Sequence, residues 1–226
     1  MYMILKKIKF FLVFLLIYQN PSYSKSSSFN SFDSKNLSKY FSGIVAFENK
    51  DNSSALNFFN SSKILVNTHE PFLNRYIQSL ILENKISQAI NIIKNNESKN
   101  NSNFFDAYLL LIIDSLKRND FDKAFKYLSK TINFSEQDRL NSAIWESLKQ
   151  FIFVFKEKEF LNNKKSFGKL SIISETFQKC YLGNKSTEEY FLRLFNDPEG
   201  DYSRYIFFYL SYLIENNRLD EAKKVT

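Results

Sequence analysis

Glycine and proline are nearly missing from this chain, with only four and three among 226 residues. A β-rich protein of this length builds many turns from those two residues, so their scarcity argues against strands and for an all-α fold. Cysteine occurs once, at Cys180, which excludes an internal disulfide and leaves packing to hold the fold. With Phe177, Tyr181 and Leu182 around it, that thiol is expected to act as a half-buried small hydrophobe. Histidine also occurs once, at His69 in the loop NTHEP, so a histidine metal site or a Ser/His/Asp triad would rest on one surface residue. No glycine-rich phosphate loop is present. The acidic pairs Glu157/Glu159 and Glu188/Glu189 read as solvated helix positions. These absences point away from catalysis, and neither a cofactor nor a metal is expected.

The remaining composition is that of a folded protein, at 44% hydrophobic and 24% charged, which excludes wholesale disorder. The unusual feature is aromatic content, 25 Phe and 13 Tyr. Those rings are expected to fill interhelix spaces where leucine commonly stands, in preference to lining a dedicated aromatic groove.

The organisation is clearest in residues 105–131, FDAYLLLIIDSLKRNDFDKAFKYLSKT. Ala107, Leu111 and Leu116 recur at helical spacing, Arg118 to Asp120 interrupt, and Ala124, Tyr127, Leu128 and Thr131 resume the pattern. This predicts a helical hairpin, with Asp120 capping the second helix through its carboxylate. The same phrase recurs as ENKDNSSALNFF, ENKISQAINII and KRNDFDKAFKYL, marked by Ala55, Ala89 and Ala124 at separations of 34 and 35 residues. Near the end of the chain, RYIFFYLSYLIENNRLDEAKKVT puts Ala222 in the marker position.

A period of ~34 with a helix-turn-helix unit resembles the tetratricopeptide repeat family, in an exported bacterial form. The resemblance implies an α-solenoid of stacked antiparallel hairpins with a divergent helical middle section. It covers three units over 36–138, with helices without the period at 139–199 and the start of a further unit, cut short, at 200–226. One such hairpin cannot bury its own apolar stripe, so neighbours must share a core. The small alanines belong at the tight helix crossings, and Gly43 plays the matching part in the first helix, where later units carry Ile77 and Ile112. In this family the groove is lined by the first helix of each unit. Carried over position by position, that implies partner contacts at Tyr40, Ile44, Phe47, Asn74, Gln78, Leu109, Ile113 and Lys117.

The amino terminus reads separately. Lys6, Lys7 and Lys9 precede an apolar run from Phe10 to Tyr18 and then small polar residues, the layout of a secretory signal peptide over 1–24, cleaved after Ser24. An uncleaved inner-membrane anchor is the alternative, but the run is short against the ~20 residues a spanning helix needs. Residues 25–35 are serine-rich and read as a flexible tether. Removing 1–24 lowers the net charge from +7 to +4, and the remaining lysines are dispersed, so no nucleic-acid partner is expected. Beyond the third unit, Ser135 is expected to cap a helix with Leu140, Ile144, Leu148, Phe151 and Phe155 on its buried stripe. A second helix should bury Ile173, Phe177 and Tyr181, and Ser186 with Glu189 should form a capping box. The expected function is that of a non-catalytic protein-protein interaction scaffold of the cell envelope, not an enzyme, that binds a peptide or protein segment on its concave surface in the periplasm. The alternatives are the superhelical arm of a cell-wall enzyme such as a lytic transglycosylase and a structural subunit of an envelope assembly.

Overall fold

The computed structural model describes residues 33–67, 69–97, 103–136, 138–162, 164–198 and 200–225. The signal-peptide reading (1–24) and residues 25–32 of the tether lie outside them. Among the described residues all regular structure is helical and no strand occurs. The chain begins with α1 (Ser34–Glu48) and α2 (Asn52–Ser61), then a 3-10 turn (Lys63–Asn67). It continues with α3 (Glu70–Leu82), α4 (Ile86–Asn96), α5 (Phe105–Lys117) and α6 (Phe121–Ser129). A short α7 (Ile132–Ser135) and a long α8 (Arg139–Glu157) follow, then α9 (Lys169–Tyr181) and α10 (Thr187–Phe195). A second 3-10 turn (Ser203–Tyr205) leads into α11 (Ile206–Glu215) and α12 (Leu219–Val225).

Five of the connections are copies of one turn. Lys50, Asn84, Asn119, Gly183 and Asn217 each end a first helix at φ between 57° and 62°. The N–H of that residue donates to the carbonyl three residues back, on Phe47, Ile81, Leu116, Cys180 and Ile214 at 2.9–3.1 Å. The next N–H reaches five residues back, to Ala46, Leu80, Ser115, Lys179 and Leu213 at 2.7–3.0 Å. These paired bonds satisfy carbonyls that a helix end otherwise leaves without partners, and the left-handed residue between them is what Asn and Gly tolerate best. The turns fall 34 and 35 residues apart, then after a gap of 64 they resume at 34. The sequence reading did not recognise the α9–α10 hairpin as one of this set, because its marker place holds Glu188 instead of alanine.

Each marker alanine sits in the first turn of a second helix, five residues after the left-handed position. Ala55, Ala89 and Ala124 have no exposed surface and Ala222 is nearly buried. Asp33, Asp51 and Asp120 cap α1, α2 and α6 by accepting from Asn36, Ser54 and Lys123 N–H groups at 2.6, 3.1 and 3.1 Å. Helix α1 therefore starts at Ser34, inside the stretch read as tether. Pro71 stands in the first turn of α3, where its missing N–H leaves no bond unmade.

Consecutive helices pack on one another from α1 to α6, and α8 then packs on α6 and α7. A continuous core runs from Tyr40 to Ile152 and contains Phe59, Phe72, Tyr76, Ile93 and Leu111. In the first hairpin Gly43 meets the Phe59 ring so closely that a Cβ there would stand 2.6 Å from Cε1. The equivalent places hold Ile77 with Ile93 and Ile112 with Leu128, all buried. A glycine against a large ring in one unit is thus replaced by two aliphatic side chains of middling size in the next two.

A smaller core gathers Phe191, Tyr209, Leu213 and Ala222. The seam between α8 and α9 is polar. Gln178 Nε2 donates to Gln150 Oε1 at 3.2 Å, and Gln150 Nε2 donates to Glu146 Oε1 at 3.1 Å, all three residues being buried. Several expectations for this middle section are corrected here. Asp138, not Ser135, caps α8, accepting from Asn141 N–H at 2.7 Å, while Ser135 ends α7. Leu140 is exposed, and the most buried α8 residues are Ala143, Glu146, Gln150, Ile152 and Val154, because α8 is covered on more than one side. In α9 the buried residues are Ser174, Thr176 and Gln178, while Tyr181 is exposed. The Ser186 hydroxyl donates to Asn184 Oδ1 and does not cap α10.

Candidate functional site

The first helices of the first three hairpins, α1, α3 and α5, together form a groove of ≈610 Å³. Its walls are Phe47 from α1, Ile81 and Leu82 from α3, and Leu109, Leu110 and Ile113 from α5, with Arg75, Gln78 and Asp106 between them. Leu82 and Ile113 are 55% and 50% exposed, an unusual state for aliphatic side chains facing one shared concavity.

The polar groups of the groove are bonded to one another across all three helices. Arg75 Nη2 pairs with Glu48 Oε1 at 3.1 Å, and Arg75 Nη1 donates to Gln78 Oε1 at 3.3 Å. Gln78 Nε2 in turn donates to Asp106 Oδ2 at 3.1 Å, and the Arg75 guanidinium lies 5.0 Å from the centre of the Phe47 ring. Asp106 lies in the first turn of α5, where the helix dipole favours its charge. The result is an apolar trough with a polar strip whose groups are hydrogen-bonded to one another, which can desolvate apolar side chains.

Of the eight groove positions expected from sequence, Phe47, Gln78, Leu109 and Ile113 line this trough. The other four lie outside its lining. Tyr40 is a core residue, its ring 5.2 Å from His69, 5.6 Å from Phe72 and 6.2 Å from Phe59. Ile44 is half-buried against the same core. Asn74 is half-buried with Oδ1 enclosed and without a hydrogen-bond partner. Lys117 is the exposed last residue of α5, outside the trough lining.

The sequence reading missed Arg75, Ile81, Leu82, Asp106 and Leu110. Repeat-equivalent residues stand 34 or 35 apart, whereas residues meeting across the groove stand 31 apart: Phe47, Gln78 and Leu109; Arg75 and Asp106; Leu82 and Ile113. The offset differs by about one helical turn because a groove is bounded by the trailing flank of one helix and the leading flank of the next. A search at that shorter offset would have found both walls.

A second cavity, ≈590 Å³, lies between α7, α8 and the following loop, lined by Trp145, Glu146, Lys149 and Lys165 among others. Glu146 is 3% exposed and accepts from Lys165 N–H at 3.3 Å in addition to Gln150. Cys180 is half-buried as expected, and burial pushes its thiol pKa up, which lowers its thiolate fraction. Among the described residues no three His, Cys, Asp or Glu side chains are grouped to hold a metal ion, and no helix is long and apolar enough to cross a membrane. Compared with known protein families, curated proteins and solved structures, the chain matches none.

Proposed function

We propose that this chain is a non-catalytic binding scaffold, an α-solenoid of tetratricopeptide-repeat type, that holds a segment of a protein partner in the trough of α1, α3 and α5. The observation that carries the reading is the composition of that trough: three successive first helices supply its whole lining, six of its nine residues are apolar, and its polar groups are already paired. The repeat type is supported by five hairpin turns with the same two hydrogen bonds, 34, 35, 64 and 34 residues apart, four of them followed by a buried alanine. Burial of apolar side chains in such a trough contributes roughly 25 cal/mol per Å² before the entropy of association is subtracted. Export to the periplasm belongs to the same proposal and rests on the sequence layout of residues 1–24.

The test is site-specific photo-crosslinking in cells from Ile113 in the trough, with Lys126 on α6 as the control position. A protein adduct formed from Ile113, absent from Lys126 and lost in Leu82→Asp, is the expected result. Equal adducts from both positions, unaffected by Leu82→Asp, would remove the trough as the binding site.

A further inference from the structure

Glu146 is a buried charge whose two oxygens are treated unequally. Oε1 accepts from Gln150 Nε2 and from the Lys165 N–H, whereas Oε2 has among the described residues only an ion-pair contact with Lys149 Nζ, at 3.7 Å and so beyond hydrogen-bonding distance. An ionised carboxylate offers lone pairs on both oxygens, and burying one short of donors is costly. Glu146 lines the ≈590 Å³ cavity beside α7 and α8, a volume in the range of small-molecule sites, so the spare acceptor is offered to what enters there.

The rest of the cavity supplies the complement. The Trp145 ring forms part of the wall, fixed by donation from Nε1 to the Leu128 carbonyl at 3.2 Å. Lys149 Nζ lies 5.4 Å from the centre of that ring, so a cation already rests loosely between indole and carboxylate. Lys149 also lines the adjoining ≈280 Å³ cavity, which gives its side chain a second place to lie. At the cavity's exposed edge stand Arg139 and Lys165, whose side chains form no ion pair among the described residues. Of the two acids at that edge, Asp138 is engaged in capping α8 and Glu136 is exposed. Arg139 and Glu146 share one face of α8 seven residues apart, about 10 Å along the helix. A ligand matching this layout carries an ammonium for Glu146, a carboxylate for Arg139 and Lys165, and an aliphatic stem to lie on the indole. The adjacent charges of an α-amino acid backbone are too close together to bridge that interval.

We propose that this cavity binds an ω-amino acid, a zwitterion with the charge separation of 6-aminohexanoate or of the side-chain and carboxylate ends of lysine. Its ammonium displaces Lys149 from Glu146 Oε2. The site shares no residue with the trough and stands or falls independently of it.

Trp145, the single tryptophan, reports on the cavity directly. Titrating the full chain with 6-aminohexanoate at fixed ionic strength should change its fluorescence saturably, with half-saturation at about 1 mM or below. Hexanoate and hexylamine each lack one charged end and should bind at least ~10-fold more weakly. Glu146→Gln keeps an acceptor for the bonds to Oε1 but removes the charge, and should weaken binding by ~10-fold or more. Arg139→Gln combined with Lys165→Gln alters only exposed side chains and should do the same, which covers the case of a Glu146→Gln chain that fails to fold by circular dichroism. Lys149→Met removes the competing cation and should tighten binding. No response to 6-aminohexanoate up to ~50 mM overturns the proposal. Hexanoate or hexylamine binding as tightly as the zwitterion overturns it too, and so does weaker binding by Lys149→Met, which would make that lysine a ligand for an anion. Lysine and a short peptide ending in lysine, titrated in parallel, separate a free amino acid from a chain terminus as the source.

Discussion

The fit between Gly43 and Phe59 gives a sharp test of how the first hairpin is packed. A methyl group at position 43 would stand 2.6, 2.8 and 3.1 Å from Cε1, Cδ1 and Cζ of a ring that has no exposed surface. Gly→Ala inside an uncrowded helix is worth about 0.8–1 kcal/mol of stability. Forcing a methyl into a filled core costs about 1–3 kcal/mol, because the ring is held by Tyr40 and Phe72 and has little room to turn. Gly43→Ala should therefore destabilise by about 1 kcal/mol net. Phe59→Leu alone should cost about 1–2 kcal/mol from lost packing. The double variant should be no less stable than Phe59→Leu alone, because the methyl then fills vacated space, giving a favourable coupling of about 1–2 kcal/mol. Urea denaturation followed by Trp145 fluorescence and circular dichroism measures all four corners of the cycle, with Trp145 the single tryptophan. Additive effects, or a Gly43→Ala chain about 1 kcal/mol more stable than wild type, would refute the close crossing.

Three further outcomes are expected. Lys50 has φ of 62° where the other turns use Asn or Gly, so Lys50→Gly should stabilise by about 1 kcal/mol, read as a raised thermal midpoint. Ala89→Leu puts a large side chain at a crossing with no exposed surface and should destabilise by about 2 kcal/mol or more in the same melt, whereas Ala222→Leu should do less, since Ala222, though buried, keeps 6% of its surface exposed. Arg218 donates to both oxygens of Glu188 at 2.7 and 2.8 Å, and Tyr209 adds a third bond at 3.2 Å, so the Glu188 carboxyl is held below its usual range. The native state then binds fewer protons than the unfolded one, and the stabilisation is complete above the unfolded pKa of about 4.3 and fades as pH falls through the lower native value. Glu188→Gln should accordingly be less stable than wild type near neutral pH, with the two denaturation curves converging in acid; a constant gap down to the acid limit would contradict the pairing.

What the sequence determined by itself is local. Scarce glycine and proline, 3.6-residue periodicity, the Asp120 cap and the alanine phrase concern residues within one or two turns of each other, and backbone chemistry responds to them wherever the segment lies. They were enough for helical hairpins, for the break at Arg118 to Asp120, and for the buried alanines. What tertiary structure decided is how far each helix is rotated against its neighbours. Tyr40 and Leu109 are equivalent in the repeat, yet one lies in the core and the other on the trough wall, because α1 and α5 have different neighbours. The same cause places Glu146, Gln150 and Gln178 in the buried seam of α8 and α9 and leaves Leu140 in solvent. Rotation about a helix axis changes no backbone hydrogen bond, so it leaves little local signature, and only the surfaces of adjoining helices select it.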